Sequence, residues 1–487
     1  MRPDVKKWPV MAMVLICLFF TWRAWQANTD LVDGRYRLFM DEQITFDDVK
    51  AMLQAPSLKD AVLVSMAGDP RYGRGLYNLS YLVSFVPYKI WGDAGLIVAD
   101  RMLQFVLLML AYVLLVMTFI RAWPLRALVV TSLLCLPSTV YYATMPKPEP
   151  LQIFCLALFL FFAGRNKFAF GAYYFFLGCA LGMKVSALVL MPLFAVLAVS
   201  AHREYWPGRK YYAQGLIALF SVVMGYIIMQ GTLIRCLVVR NLEALNLYGW
   251  FLSHESHASV TGIPARLMGW FRFFFIDYFQ QPPLVTGFIC LGAAALAGVM
   301  IRDGIEGKGR LTGGIANPVC VLVVTGLALL GFIMLFADSQ RAFYLHAGMV
   351  FMTVAGGALC AAAWEKGSAF SAEAKFVAAG VLFLFCVSLM FLMPAANQDY
   401  LKEAGRTKTA GHQARLAEYR RIHAAAEAVA GVEGRRLQIA YDPELYQLDN
   451  TPQYHVSRFW SAQVPWGSPY DAIILYNGDV TRPHDAA

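Results

Sequence analysis

Met40-Asp41-Glu42-Gln43 places two adjacent carboxylates just beyond the first hydrophobic run of the chain. A carboxylate held at a membrane face can take a proton from an attacking hydroxyl. If the leaving group is an anion, cations must stand opposite it to stabilise the charge that develops. The chain carries such cations in the polar segments between its apolar runs. Arg71 and Arg74 lie among glycines in Gly68-Asp69-Pro70-Arg71-Tyr72-Gly73-Arg74-Gly75. Lys147 and Glu149 belong to Met145-Pro146-Lys147-Pro148-Glu149-Pro150, and Lys184 to Gly182-Met183-Lys184-Val185-Ser186. His254, Glu255 and His257 follow later, then Arg341, with Tyr344 and His346 just after it. Each group also has a plainer role open to it. Lys147 and Lys184 can snorkel to the interface, and Arg71 and Arg74 can meet lipid head groups. Glu149 can mark a stiff proline-flanked loop, Asp47 and Asp48 the polar face of a surface helix, and the acidic pair a solvated loop start.

The elements that must position these residues are set by composition. The chain is 59% hydrophobic and only 15% charged, against about 25% charged in soluble proteins. Several apolar runs approach the roughly 20 residues that cross a bilayer. The expected class is therefore an all-α polytopic membrane protein. The net charge of +9 does not point to nucleic acid, because Lys and Arg gather in short connectors where they set orientation. A basic start, Met1-Arg2-Pro3-Asp4-Val5-Lys6-Lys7, precedes an apolar run from Trp8 to about Ala27. A signal peptide would share this pattern, but the length of the run and its bulky end at Trp22, Arg23, Trp25 and Gln26 favour an uncleaved first span with a cytoplasmic N-terminus.

Spans are expected near 96–120, 125–145, 150–164, 212–235, 283–301, 317–337, 343–364 and 374–395, with two short ones in 169–201 meeting near Lys184. A charge in the middle of one long span would be costly, and that cost splits 169–201. Residues 44–53 read as an amphipathic surface helix. The apolar stretch 76–92 is short. If it crosses, the basic connectors 121–126 and 165–167 fall outside; as a surface or re-entrant segment it puts both inside, which the charge rule favours. The result is about eleven spans, with the C-terminus outside.

Residues 1–395 form the membrane part, with outer segments 28–95 and 236–282, and 396–487 form a small outer α/β domain. In that domain 398–430 reads as helix, and Leu437–Tyr441 and Tyr470–Tyr476 as strands. The nine cysteines fall almost all in apolar runs, without CxxC or Cys/His spacing, so no disulfide framework or thiolate metal site is expected. No motif demands a cofactor. His254 and His257, at i and i+3, leave a divalent metal open, although Glu255 between them would point elsewhere.

With this topology Asp41, Glu42, Arg71, Arg74, Lys147, Glu149, Lys184, His254, His257 and Arg341 all belong to one face. Carboxylates beside several cations suit transfer of a sugar from a lipid-linked phosphate. The departing phosphate is anionic, the glycosyl centre becomes oxocarbenium-like, and one carboxylate takes the acceptor proton. A polytopic transporter or lipid-linked-sugar flippase is the alternative, with the same charges lining a path.

The ordered set resembles the C-type glycosyltransferase (GT-C) superfamily, in particular its family-39-like and aminoarabinose-transferase-like members. Met40-Asp41-Glu42-Gln43 is similar to the acidic motif of the first outer loop, and Met145–Leu151 to the second-loop motif. Gly182–Leu188 is similar to a glycine–lysine stretch, and Arg341-Ala342-Phe343-Tyr344-Leu345 to the arginine-led start of a late span. The resemblance implies a bacterial inner-membrane enzyme with a polyprenyl-phosphate sugar donor, an inverting reaction and a periplasmic site. The acceptor would be a lipid, glycan or protein. It makes Asp41 the base, with Glu42 beside it. Lys147, Lys184, Arg71, Arg74 and Arg341 become candidates for the donor phosphate, and Glu149, Tyr72, His254, His257 and Tyr344 for substrate contacts. The second-loop acid maps onto Glu149 with an offset, and no DxD motif accompanies the set.

Overall fold

The computed structural model describes residues 8–30, 40–66, 73–163, 173–184, 209–231, 263–272, 318–336 and 342–366. It also describes four short strands between 437 and 481 and isolated positions at 291–292, 294, 298, 381, 424 and 427–428. The described part of 1–395 is helical: α1 (Trp8–Asp30), α2 (Met40–Leu53), α3 (Leu58–Met66), α4 (Gly75–Phe119), α5 (Trp123–Leu134), α6 (Pro137–Thr144), α7 (Pro148–Ala163), α8 (Tyr174–Met183), α9 (Arg209–Met229), α10 (Ile263–Arg272), α11 (Pro318–Phe336) and α12 (Ala342–Lys366). Among the described residues three helices are long and apolar enough to cross a membrane: Gly75–Phe119, Tyr212–Met229 and Leu345–Ala362. Met11–Gln26, Trp123–Leu134, Pro148–Ala163, Tyr174–Met183 and Val321–Leu335 are shorter apolar helices.

The expectation of about eleven spans is thus met only by three helices of full length and several shorter ones. The spans expected at 283–301 and 374–395 lie outside the described residues apart from single positions. The one expected at 125–145 is two helices. Leu136 is extended (φ −61°, ψ 132°) and Pro137 opens α6, because a residue before proline is pushed out of the helical region. Past α8 the chain leaves helix at Lys184 (φ −152°, ψ 135°), and 185–208 lies outside the described residues.

α4 is not one rod. Forty-five residues would make a helix of about 68 Å at 1.5 Å per residue, far longer than a bilayer core of about 30 Å. Gly92 breaks it with φ 60° and ψ −141°, a conformation that only glycine adopts at little cost. Residues 75–91 then fold back on 93–119. A Cβ on Gly95 would sit 2.2 Å from the carbonyl oxygen of Pro87, and the Ser80 hydroxyl donates to Asp100. The second half of α4 is the centre of the core: Leu108, Ala111, Tyr112, Leu115 and Val116 are fully buried.

α2 lies across the first half of α4. It begins at Met40, so Asp41 and Glu42 belong to its first turn rather than to a loop start. Acidic residues there complement the helix dipole. Phe46, Val49 and Met52 bury its inner face. Lys50 pairs with Asp93 at 2.9 Å and Asp48 with Arg74 at 2.8 Å.

Elsewhere glycines bring helices together. A Cβ on Gly178 of α8 would meet the carbonyl oxygen of Val222 in α9 at 2.0 Å, and one on Gly225 would meet that of Phe175 at 2.1 Å. Gly178 and Gly182 are four apart, the small-xxx-small spacing that lets membrane helices approach backbone to backbone.

Toward the C-terminus, β1 (Leu437–Tyr441), β2 (Tyr454–Arg458), β3 (Ala472–Ile474) and β4 (Val480–Thr481) form one sheet in the order β2-β1-β3-β4. β1 runs parallel to β2 and β3, and β4 is antiparallel. The expected strands at 437–441 and 470–476 are β1 and β3. The helix expected at 398–430 lies outside the described residues except at 424 and 427–428.

Gly178→Val should force α8 from α9 and cost about 3 kcal/mol, the upper end of ordinary overpacking. Gly215→Ala, whose Cβ meets nothing within 4 Å, should leave the protein as stable or slightly more so. Thermal unfolding of the two detergent-purified variants checks this.

Candidate functional site

Three of the sequence motifs meet at the end of α8. The amide of Gly73 donates to the carbonyl of Met183 at 3.1 Å. A Cβ on Gly73 would fall 2.2 Å from the carbonyl oxygen of Gly182, so only glycine lets the arginine-bearing turn lie against that helix end. The next residue, Lys184, reaches Glu149 with 2.7 Å between Nζ and Oε1. Glu149 stands in the first turn of α7. Pro148 just before it suits the first helical position, where no amide partner is lost, and an acid there complements the dipole. One turn on, the Gln152 side-chain amide donates to the carbonyls of Ala180 (3.2 Å) and Lys184 (3.1 Å). It thereby satisfies acceptors that every helix leaves open at its C-terminus.

The Glu149–Lys184 pair is mostly shielded, with side chains 12% and 15% exposed. Lys147 adds a second favourable charge to Glu149. Oε2 of Glu149 is buried without a hydrogen-bond partner among the described residues. One carboxylate therefore stands beside two ammonium groups with a lone-pair-bearing oxygen turned to no donor. Such a cluster can hold an anion on its cationic side or accept a proton at Oε2.

Arg74 borders this cluster in sequence, next to Gly73. It is 1% exposed, ion-paired through Nη1 with Asp48, and its guanidinium lies 3.9 Å from the ring centroid of Tyr77. Its Nε and Nη2 have no hydrogen-bond partner among the described residues. Asp48, expected only as part of the polar face of a surface helix, is thus the counter-ion of a buried guanidinium. Sequence offered one signal for it, the 3.6-residue phase that puts position 48 near the apolar face of α2.

The acidic pair begins the same helix. Thr45, Phe46, Val49 and Met52 are the buried positions of α2. The side chains of Asp41 and Glu42 lie outside the described ones. Helix geometry does not single out Asp41; that preference rests on the resemblance. Arg71, Tyr72, His254, His257 and Arg341 lie outside the described residues, and Tyr344 falls in the first turn of α12. No group of three or more metal-ligating side chains occurs among the described residues.

A second polar cluster, missed from sequence, centres on His346. The residue is fully buried, not part of an outer loop. Its Nε2 lies 2.8 Å from the Tyr112 hydroxyl and its Nδ1 2.7 Å from Ser138 Oγ. Tyr112 also bonds Thr139 at 2.8 Å. The network joins α12, α4 and α6, so it fixes the start of α12 relative to the helix that leads to Lys147 and Glu149.

No family model matches the chain, and no curated protein matches it.

Lys184→Met should leave the Glu149 carboxylate in a shielded site without its main partner and lower stability by about 3–5 kcal/mol. Lys184→Met with Glu149→Gln should recover most of that loss. Unfolding curves for the two singles and the double give the coupling.

Proposed function

We propose that this protein is an integral membrane glycosyltransferase of the GT-C type, which moves a sugar from a polyprenyl-phosphate donor to a lipid, glycan or protein acceptor at the outer membrane face. The observation that carries the reading is the meeting of Gly73–Arg74, Lys147–Glu149 and Lys184 at one point, with the acid-bearing helix α2 tied to it through Asp48 and Arg74. A helical membrane scaffold that gathers carboxylates and cations in this way suits a reaction with a charged leaving group.

In that reaction the acceptor hydroxyl loses its proton to a carboxylate of the Asp41–Glu42 pair. Its oxygen bonds the anomeric carbon, and the bond from that carbon to the phosphate oxygen breaks. The electron pair leaves with the polyprenyl phosphate, and attack from the opposite face inverts the sugar. Lys147 and Lys184 are the cations for the phosphate, although Lys184 meets it only while also holding Glu149. No divalent metal is required by these steps. Location in a bacterial inner membrane with a periplasmic site belongs to the same proposal.

A flippase would place an essential charge near the middle of a crossing helix. Asp100 and Arg101 are buried in α4, nearer the middle of 93–119 than the Gly92 turn, and Asp100 accepts a hydrogen bond from Ser80. Their position is the one observation that suits this second reading.

Asp41→Asn should fold normally and lose transfer by about 10³-fold, within the usual range for removing a general base. Incorporation of label from a radiolabelled polyprenyl monophosphate sugar, measured in reconstituted membranes, checks it. Normal transfer by Asp41→Asn and by Glu42→Gln would reject the pair as base. Label moving across the bilayer without joining an acceptor would establish the flippase instead.

A further inference from the structure

Ser138, His346, Tyr112, Thr139 and the Leu133 carbonyl form one chain of hydrogen bonds, and counting hydrogens fixes its direction. A hydroxyl has one hydrogen to donate and a carbonyl has none. Thr139 Oγ1 spends its hydrogen on the carbonyl of Leu133 at 2.7 Å. The 2.8 Å bond between Thr139 and Tyr112 is therefore donated by the tyrosine. Tyr112 then has no hydrogen left for His346, so the 2.8 Å bond at Nε2 is donated by the imidazole. A neutral imidazole with its hydrogen on Nε2 keeps a lone pair on Nδ1, and the Ser138 hydroxyl donates to it at 2.7 Å. A second proton on Nδ1 would put a cation in a fully buried site beside neutral Tyr112, Ser138 and Tyr142, which is costly.

The chain is built around one break in the backbone. Leu133 lies in the last turn of α5, and in an uninterrupted helix its carbonyl would accept from the amide of residue 137. That residue is Pro137, which has no amide hydrogen. The Thr139 hydroxyl serves the carbonyl instead, beside a longer bond of 3.2 Å from the amide of Leu136. Ser138 and Thr139 are consecutive residues of α6, so the chain leaves that helix, passes through α12 and α4, and returns to it. One turn along α6, the Tyr142 ring lies 5.1 Å from the imidazole, centroid to centroid. His346 thus holds α6 at its start and again one turn later, where α6 departs from the direction of α5. α6 ends at Thr144, and Lys147 and Glu149 follow directly in the chain.

We propose that His346, as the Nε2–H tautomer, is a positioning residue that aims α6 and so places Lys147 against the departing phosphate. Its kinetic consequences rest on the sugar-transfer reading; the tautomer does not. A cation displaced by about 1 Å from a developing charge costs turnover rather than ground-state binding, by about 10²-fold.

The test has two arms, both on the full chain in lipid bilayers. In solid-state nitrogen NMR with isotope-labelled histidine, the resonances that vanish in His346→Gln identify the residue. They should show a protonated Nε2 and a bare Nδ1; a protonated Nδ1 would overturn the directed chain. In transfer from a radiolabelled polyprenyl monophosphate sugar, His346→Leu should lower kcat about 10²-fold and leave the donor KM within about twofold. Ser138→Ala removes the donor to Nδ1 with little change in bulk. It should lower kcat about tenfold, and it carries this arm alone if His346→Leu does not fold. Lys147→Met should cost much less in either variant than in the wild type, because the lysine is already out of place. Full additivity, or a raised KM with kcat unchanged, would overturn the positioning role. A wild-type protein that transfers nothing would instead reject the sugar-transfer reading, and the role of His346 in it.

Discussion

The site depends on one close approach, the backbone of Gly73 against that of Gly182 and Met183. A methyl group at residue 73 would overlap the Gly182 carbonyl, so this contact exists only because residue 73 has no side chain. The approach brings the first polar segment to the end of α8 and leaves the Gly73 amide satisfied by Met183. Lys184 then emerges beside α7 with nowhere shorter to send its charge than Glu149. Close packing of α8 on α9 through Gly178 and Gly225 holds the helix end in place from the other side.

The charges around this junction are handled in two ways. Glu149 and Lys184 neutralise each other where little water reaches them, and Lys147 adds to the attraction. A shielded pair of this sort adds little net stability, but losing one partner is costly. Its effect is therefore on position: it fixes α7 against α8. Arg74 and Asp48 do the same for α2 against α4, with Tyr77 covering the guanidinium. Both pairs leave polar atoms without hydrogen-bond partners among the described residues, Oε2 of Glu149 and Nε and Nη2 of Arg74. Under-satisfied buried groups of this kind are uncommon in a packed interior, and here they stand on both sides of the Gly73 contact.

His346 shows a different use of buried polarity. Its two ring nitrogens bridge Tyr112 and Ser138 from separate helices. A fully satisfied network of this sort specifies one arrangement of its helices more sharply than apolar packing does. It ties α12, which follows Arg341 in sequence, to the helix preceding Lys147. The segments that carry the candidate residues are thus tied together by buried polar contacts.

Sequence alone, through its apolar runs and sparse charge, indicated helices of a kind suited to a membrane. It also placed most of the helices, two of the strands, and the short polar segments that supply Arg74, Lys147, Glu149 and Lys184. It indicated that Lys184 ends a short helix, since a charge at the centre of a long one is expensive. Tertiary structure alone decided which of these groups are partners. Asp48 looked like a solvated residue until α4 delivered Arg74 to it, and His346 looked like a loop residue until α6 and α4 enclosed it. The break at Gly92 depends on a backbone angle that a hydrophobic pattern does not encode, and with it comes the return of 75–91 along 93–119. Periodicity tells a residue which face of its own helix it occupies; which other helix waits on that face is settled only by how closely backbones can approach, and here glycines set that distance.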